Sequence, residues 1–120
     1  MSSFSVSEVA RGCHLLKVDG KLRGRRARQL GEDLEDFANA GSRRVVIDLS
    51  DAESLDSLAA FSLERGLELG LRLHLVVRPG FSFDGFFRSR SLLRRVAMHE
   101  ALEAALATVR QVSESGMALV

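Results

Sequence analysis

The stretch Arg44-Val45-Val46-Ile47-Asp48-Leu49-Ser50-Asp51-Ala52-Glu53-Ser54-Leu55-Asp56-Ser57-Leu58-Ala59-Ala60-Phe61 decides how the rest of the chain is read. Val45-Val46-Ile47 with Leu49 is a short, nearly continuous apolar run rich in β-branched residues. Such a run suits a central strand buried on both faces rather than a half-exposed one. An acidic loop is expected next, and then a helix that opens at Asp56-Ser57. Ser54, Asp56 and Ser57 all bring side-chain oxygens to that entry, and any of them can cap it.

A helical wheel over residues 58–70 separates two apolar sets. Ala59, Leu63, Gly66, Leu67 and Gly70, with Ala60 at the edge, form the face expected to lie on a sheet. Leu58, Phe61 and Leu69 fall on the other side, among Ser62, Glu64, Arg65 and Glu68. Ser57, Phe61 and Glu64 then follow one another in a single row. Large apolar side chains on an outer face are what a partner-binding surface offers, unless a loop or the C-terminal segment covers them. The surface expected to meet a partner is Ser54, Asp56, Leu58, Phe61, Ser62, Glu64 and Arg65.

Upstream, Phe4 to Val9 begins with alternating apolar and polar residues and reads as a short edge strand. Arg11-Gly12 breaks it, and Cys13 to Val18 forms a second strand that Asp19-Gly20 is expected to end. From Arg25 to Ala40, the residues Ala27, Leu30, Leu34, Phe37 and Ala38 recur at helical spacing, with Gly41 as the stop. Arginines 23, 25, 26 and 28 crowd the start of this helix and acids fill its second half, an order that opposes the macrodipole. That face reads either as solvated, with weak pairs such as Arg28 with Glu32, or as a basic face for an acidic partner.

Downstream, Arg72 to Val77 gives another strand, closed by Pro79-Gly80. Phe81, Phe83, Phe86 and Phe87 crowd one loop-like segment, which either plugs the core or forms an exposed apolar patch. Leu92, Leu93, Val96 and Ala97 have helical spacing, and Ala101 to Val109 continues that helix or starts another. No periodicity is clear from Ser113 onward. The order of strands and helices points to an α/β domain: a mixed β-sheet of four to five strands, with α-helices packed mainly on one side. One domain is expected for 120 residues, with its core over about residues 4–110.

With 46% hydrophobic and 28% charged residues the chain can bury one real core. A net charge of +1 supplies no whole-molecule attraction to nucleic acid or membrane. The arginines at 88, 90, 94 and 95 accompany no RNA-binding motif, so no nucleic-acid partner is expected. No segment approaches the roughly 20 apolar residues of a membrane span, so no membrane insertion is expected. The N-terminus lacks the basic and apolar regions of a signal peptide, and the single cysteine, Cys13, argues for a reducing compartment. The expected location is the cytoplasm. His14, His74 and His99 are far apart in sequence with no second ligand at metal spacing. No P-loop and no convergent acid, base or nucleophile is visible, so neither a cofactor, a metal nor a catalytic site is expected.

The chain resembles the STAS family, the modules of sulfate transporters and anti-sigma-factor antagonists. The residues that carry the resemblance are Val45-Val46-Ile47-Asp48-Leu49-Ser50, then Leu55-Asp56-Ser57 at a helix start, and Leu73-His74-Leu75-Val76-Val77. Val18-Asp19-Gly20-Lys21-Leu22 resembles the family's entry into its first helix. The resemblance implies a non-enzymatic antagonist whose Ser57 is phosphorylated by a partner serine kinase that is also the anti-sigma factor. It also implies a phosphatase acting on phospho-Ser57. A STAS subunit of a lipid-transport ABC complex, docking to its ATPase without phosphorylation, is the alternative. A small enzyme or nucleotide-binding protein comes third. One departure stands out: small residues are usual after the Asp-Ser pair, and here Leu58 follows.

Overall fold

The computed structural model describes residues 4–79 and 95–118. Strands β1 (Ser5–Ala10) and β2 (Cys13–Leu22) lead into helix α1 (Arg25–Asn39), and strand β3 (Arg44–Leu55) into helix α2 (Ser57–Glu68). Strands β4 (Arg72–Val76) and β5 (Val96–His99) and helix α3 (Leu102–Ala118) follow among the described residues. The five strands form one sheet in sequential order. β1 is antiparallel to β2 and every other pair is parallel.

The two crossovers through α1 and α2 advance the same way across the sheet, and crossovers of one hand then place both helices on one face. Leu16, Val18, Val45, Ile47, Leu49, Leu73 and Leu75 meet Ala27, Leu30, Leu34, Ala59, Leu63 and Leu67 there in the larger core. The opposite face carries a smaller core, in which Cys13, Leu15, Val46 and Val76 meet Ala105 and Val109 of α3. The apolar run of β3 is thus buried on both sides, as its composition required.

Helix ends follow the local chemistry. α1 stops where Gly41 takes φ +87°, with its N–H on the Ala38 carbonyl and that of Ser42 on the Phe37 carbonyl. α2 ends in the same Schellman arrangement at Gly70, φ +95°, with Leu71 N–H on the Gly66 carbonyl. α1 and α2 approach closely because Gly31 and Gly66 lack side chains. A Cβ on Gly31 would lie 2.9 Å from Ser62 Oγ, and one on Gly66 would lie 3.0 Å from Leu34 Cδ1.

Three expectations are corrected. Asp19-Gly20 does not end β2; the strand passes through it with a register irregularity, Gly20 taking φ +67°. The acidic segment after Leu49 is not a loop, because Asp51, Ala52, Ser54 and Leu55 pair with Asp19, Gly20, Lys21 and Leu22. Val96 and Ala97 belong to a strand rather than a helix, paired to Leu73 and His74. α3 is a separate helix that runs past Ser113 to Ala118. The readings of the phenylalanine-rich segment and of arginines 88, 90 and 94 lie outside the described residues.

Candidate functional site at the start of helix α2

The long β2–β3 pair carries the chain to the start of α2. Asp56, in extended backbone (φ −105°, ψ 180°), is the residue that caps it: its Oδ1 accepts from Ala59 N–H at 2.9 Å. Its other oxygen, Oδ2, accepts from the N–H of Gly24, the N-cap of α1, also at 2.9 Å. α1 has neither a side-chain cap nor an acid in its first turn, so Asp56 supplies the anionic partner that its N-terminus otherwise lacks. Partial burial alone would raise the Asp56 pKa. The two backbone N–H bonds and the nearby Arg23 outweigh it and hold the carboxyl below its ordinary range.

Because Asp56 takes the capping bond, Ser57 does not. Its side chain is exposed at the first position of α2, and among the described residues it has no hydrogen bond. Phe61, one turn on, is 65% exposed, the most exposed of the large hydrophobic residues described. Glu64 continues the row half-buried, and Arg65 lies beside it, exposed and 3.8 Å from Glu68. Ser57, Phe61, Glu64 and Arg65 are therefore brought together on one accessible face.

Ser62, Leu58 and Ser54 are not placed as the wheel expected. Ser62 is 4% exposed, and its hydroxyl donates to the Ala27 carbonyl at 2.8 Å. α2 packs on α1 as well as on the sheet, so its buried arc is wider than one face. Leu58 is half-buried and packs on the larger core, where it fits without crowding the outer surface. Ser54 is half-buried at the end of β3, and its Oγ is buried without a hydrogen-bond partner among the described residues.

The arginines at the start of α1 also divide. Arg26 turns inward, donating to the Lys21 carbonyl at 2.6 Å and pairing with Asp19 at 3.3 Å, with its guanidinium 5.4 Å from the Phe4 ring centroid. Arg23, Arg25 and Arg28 remain exposed, and among the described residues no Arg28–Glu32 ion pair forms.

Sequence reasoning missed one pair. His74 Nδ1 and His99 Nε2 lie 3.2 Å apart, with the rings stacked at a 21° interplanar angle. Burial, then His99, Arg44 and Arg72 push the His74 pKa down to about 4, and burial lowers that of His99. Only the parallel register of β4 with β5 brings the two together. Cys13 is fully buried, and burial pushes its thiol up to about 11 despite Arg44. Among the described residues no group of three or more His, Cys, Asp or Glu could hold a metal ion.

Comparisons with known proteins bear on the family and the fold. The STAS domain model matches residues 5–75, from β1 into β4. The chain belongs to the STAS domain family. An anti-sigma factor antagonist from Mycobacterium paratuberculosis is 22% identical, with a TM-score of 0.69 over 89% of this chain and 92% of that one. A putative anti-sigma factor antagonist from Thermotoga maritima matches equally, with 22% identity and a TM-score of 0.69 over 89% and 94%. The antagonist SpoIIAA in its unphosphorylated form is 17% identical, with a TM-score of 0.65 over 89% and 97%. No curated relative matches in sequence. At these identities the structural likeness establishes the fold alone, which among the described residues is a five-stranded mixed sheet with three helices. No helix among the described residues is long and apolar enough to cross a membrane.

Proposed function

We propose that this STAS domain is a non-enzymatic antagonist of an anti-sigma factor, which it binds through the outer face of α2. Phosphorylation of Ser57 by that same partner, a serine kinase, switches the contact off, and a phosphatase restores it. The observation that carries this reading is the division of labour between Asp56 and Ser57. The aspartate satisfies the helix start, so the serine hydroxyl next to it stays exposed one turn from Phe61. A phosphate there adds about −1.5 to −2 charges beside Asp56 and in the row of Glu64. That charge disfavours burying Phe61 against a partner, while the nearby N-terminus of α2 offsets part of it within the fold. The contact surface in this reading is Ser57, Phe61, Glu64 and Arg65, with Asp56 beneath it.

The test is incubation with the candidate anti-sigma kinases of the same genome and ATP, followed by mass-spectrometric mapping. Phosphate on Ser57, with binding kept by Ser57→Ala and lost by Ser57→Asp, supports the proposal. Stable binding to a kinase that leaves Ser57 unmodified, with Ser57→Asp still bound, overturns it.

A further inference from the structure

Far from Ser57, at the end of the sheet where β3 and β4 begin, Arg43, Arg44, Arg72 and Arg95 line an open depression of about 530 Å³ together with Gly70. Arg44 and Arg72 are direct register partners on adjacent parallel strands. Neighbouring strands lie about 4.8 Å apart, and like charges set opposite each other there repel. Arg43 precedes Arg44 in the chain, and its carbonyl accepts the N–H of Arg72 at 2.9 Å, tying the two strand starts together.

The end of α2 also faces this depression, and its carbonyls would ordinarily make the place hostile to an anion. Arg95 offsets part of that, because its Nη1 donates to the Leu67 carbonyl at 2.9 Å. Among the described residues, no carboxylate forms an ion pair with Arg43, Arg72 or Arg95. A chain with a net charge of only +1 therefore sets four arginines around one concave place. The field is felt inside the protein too, since Arg44 and Arg72 both help to depress the proton affinity of His74.

We infer that this depression is a binding site for a small anion carrying two or more phosphate groups. Guanidinium forks match phosphate oxygens in pairs, and Arg43 and Arg72 offer two such forks with no carboxylate ion pair among the described residues. Concavity and the convergence of separate chain segments favour a compact ligand over an extended acidic surface. The site stands at the opposite end of the parallel strands from the proposed phosphoacceptor, so it does not depend on that reading.

The experiment is calorimetric titration of the full chain at low salt with sodium pyrophosphate, with ADP, and with phosphatidylcholine vesicles containing phosphatidylinositol bisphosphate. Sodium chloride at matched ionic strength is the control. Arg43→Ala and Arg72→Ala alter exposed side chains, and circular dichroism checks that the variants fold. Each is expected to weaken binding about tenfold, in line with one lost charge-assisted bond. Arg72→Lys is expected to recover only part of the loss, because lysine cannot make the paired contact. Binding of any of the three probes that the double alanine variant loses supports the site and names the source of the phosphate. Binding that the double variant retains, binding reproduced by sodium chloride, or no binding to any probe overturns it.

Discussion

The carboxylate of Asp56 holds the N–H of Gly24 at 2.9 Å and that of Ala59 at 2.9 Å, so one side chain serves the starts of two helices. Removing it costs both ends at once. Asp56→Ala is expected to destabilise the protein by about 2 kcal/mol, roughly 1 kcal/mol for each lost capping bond. Asp56→Asn keeps one carbonyl acceptor and is expected to lose about half as much. Urea denaturation monitored by circular dichroism separates the three proteins. The sign of the pH effect follows from the depressed pKa: the contribution is complete above the ordinary value near 3.8 and is lost as the pH falls through the lower folded value.

Phe61→Ala removes a side chain that is 65% exposed and is expected to change stability by less than about 0.5 kcal/mol. Leu63→Ala, two residues on and fully buried, is expected to cost about 2–5 kcal/mol. If Phe61→Ala unfolded like Leu63→Ala, the ring would be part of the core and the docking face proposed for α2 would be lost.

The His74–His99 pair makes a separate prediction in a higher pH range. The folded protein keeps His74 neutral down to about pH 4, whereas an unfolded imidazole takes up a proton near 6.5. The unfolded state therefore binds more protons between these values, and stability should fall as the pH is lowered from about 6.5 to 4. Burial contributes most, followed by His99, Arg44 and Arg72. His74→Leu should flatten this slope in denaturation curves measured at pH 7 and pH 5. An unchanged slope would assign the loss to other groups.

Gly31→Ala tests the contact between α1 and α2. Alanine favours a helix by about 1 kcal/mol over glycine, but the new methyl would meet Ser62 Oγ at 2.9 Å. Turning the hydroxyl away breaks its bond to the Ala27 carbonyl, and a buried unpaired hydroxyl costs about 1–3 kcal/mol. The expected result is net destabilisation, reversed when Ser62→Ala is already present. A double-mutant cycle by thermal melting reads the coupling directly.

What could be read from the residues, and what could not, divides by the range of the interactions involved. The β-branched run at 45–47 and the spacing of Ala27, Leu30 and Leu34 are local signals, and both produced the elements expected of them. The strand over Ser50–Leu55 was illegible because its acids suggest solvent, while its hydrogen bonds come from Asp19–Leu22, distant in sequence. Val96-Ala97 is too short for its periodicity to distinguish strand from helix, and its pairing with β4 settles the matter. At the candidate site, the exposed Ser57 and Phe61 were legible from the wheel. Ser62 was not, because a wheel drawn for one helix cannot show a second helix beside it. Choosing Asp56 from three possible caps likewise required the position of Gly24.

β4 pairs with β3 only from Arg44 to Asp48, while β3 continues to Leu55 with β2 as its strand partner. The last seven residues of β3 therefore reach roughly 20 Å past the point where its pairing with β4 ends, at about 3.3 Å per residue. Among the described residues, Ser57 stands at the tip of a two-stranded tongue. The edge that β4 leaves uncovered is not open to strand addition at its middle, because Arg78 Nη2 donates to the Ala52 carbonyl at 3.0 Å. A tongue of this kind acts as a mast: it presents the α2 start clear of the broad part of the sheet. In the proposed switch, a phosphate at the tip changes the surface offered to a partner while the five-stranded hull behind it stays as it was.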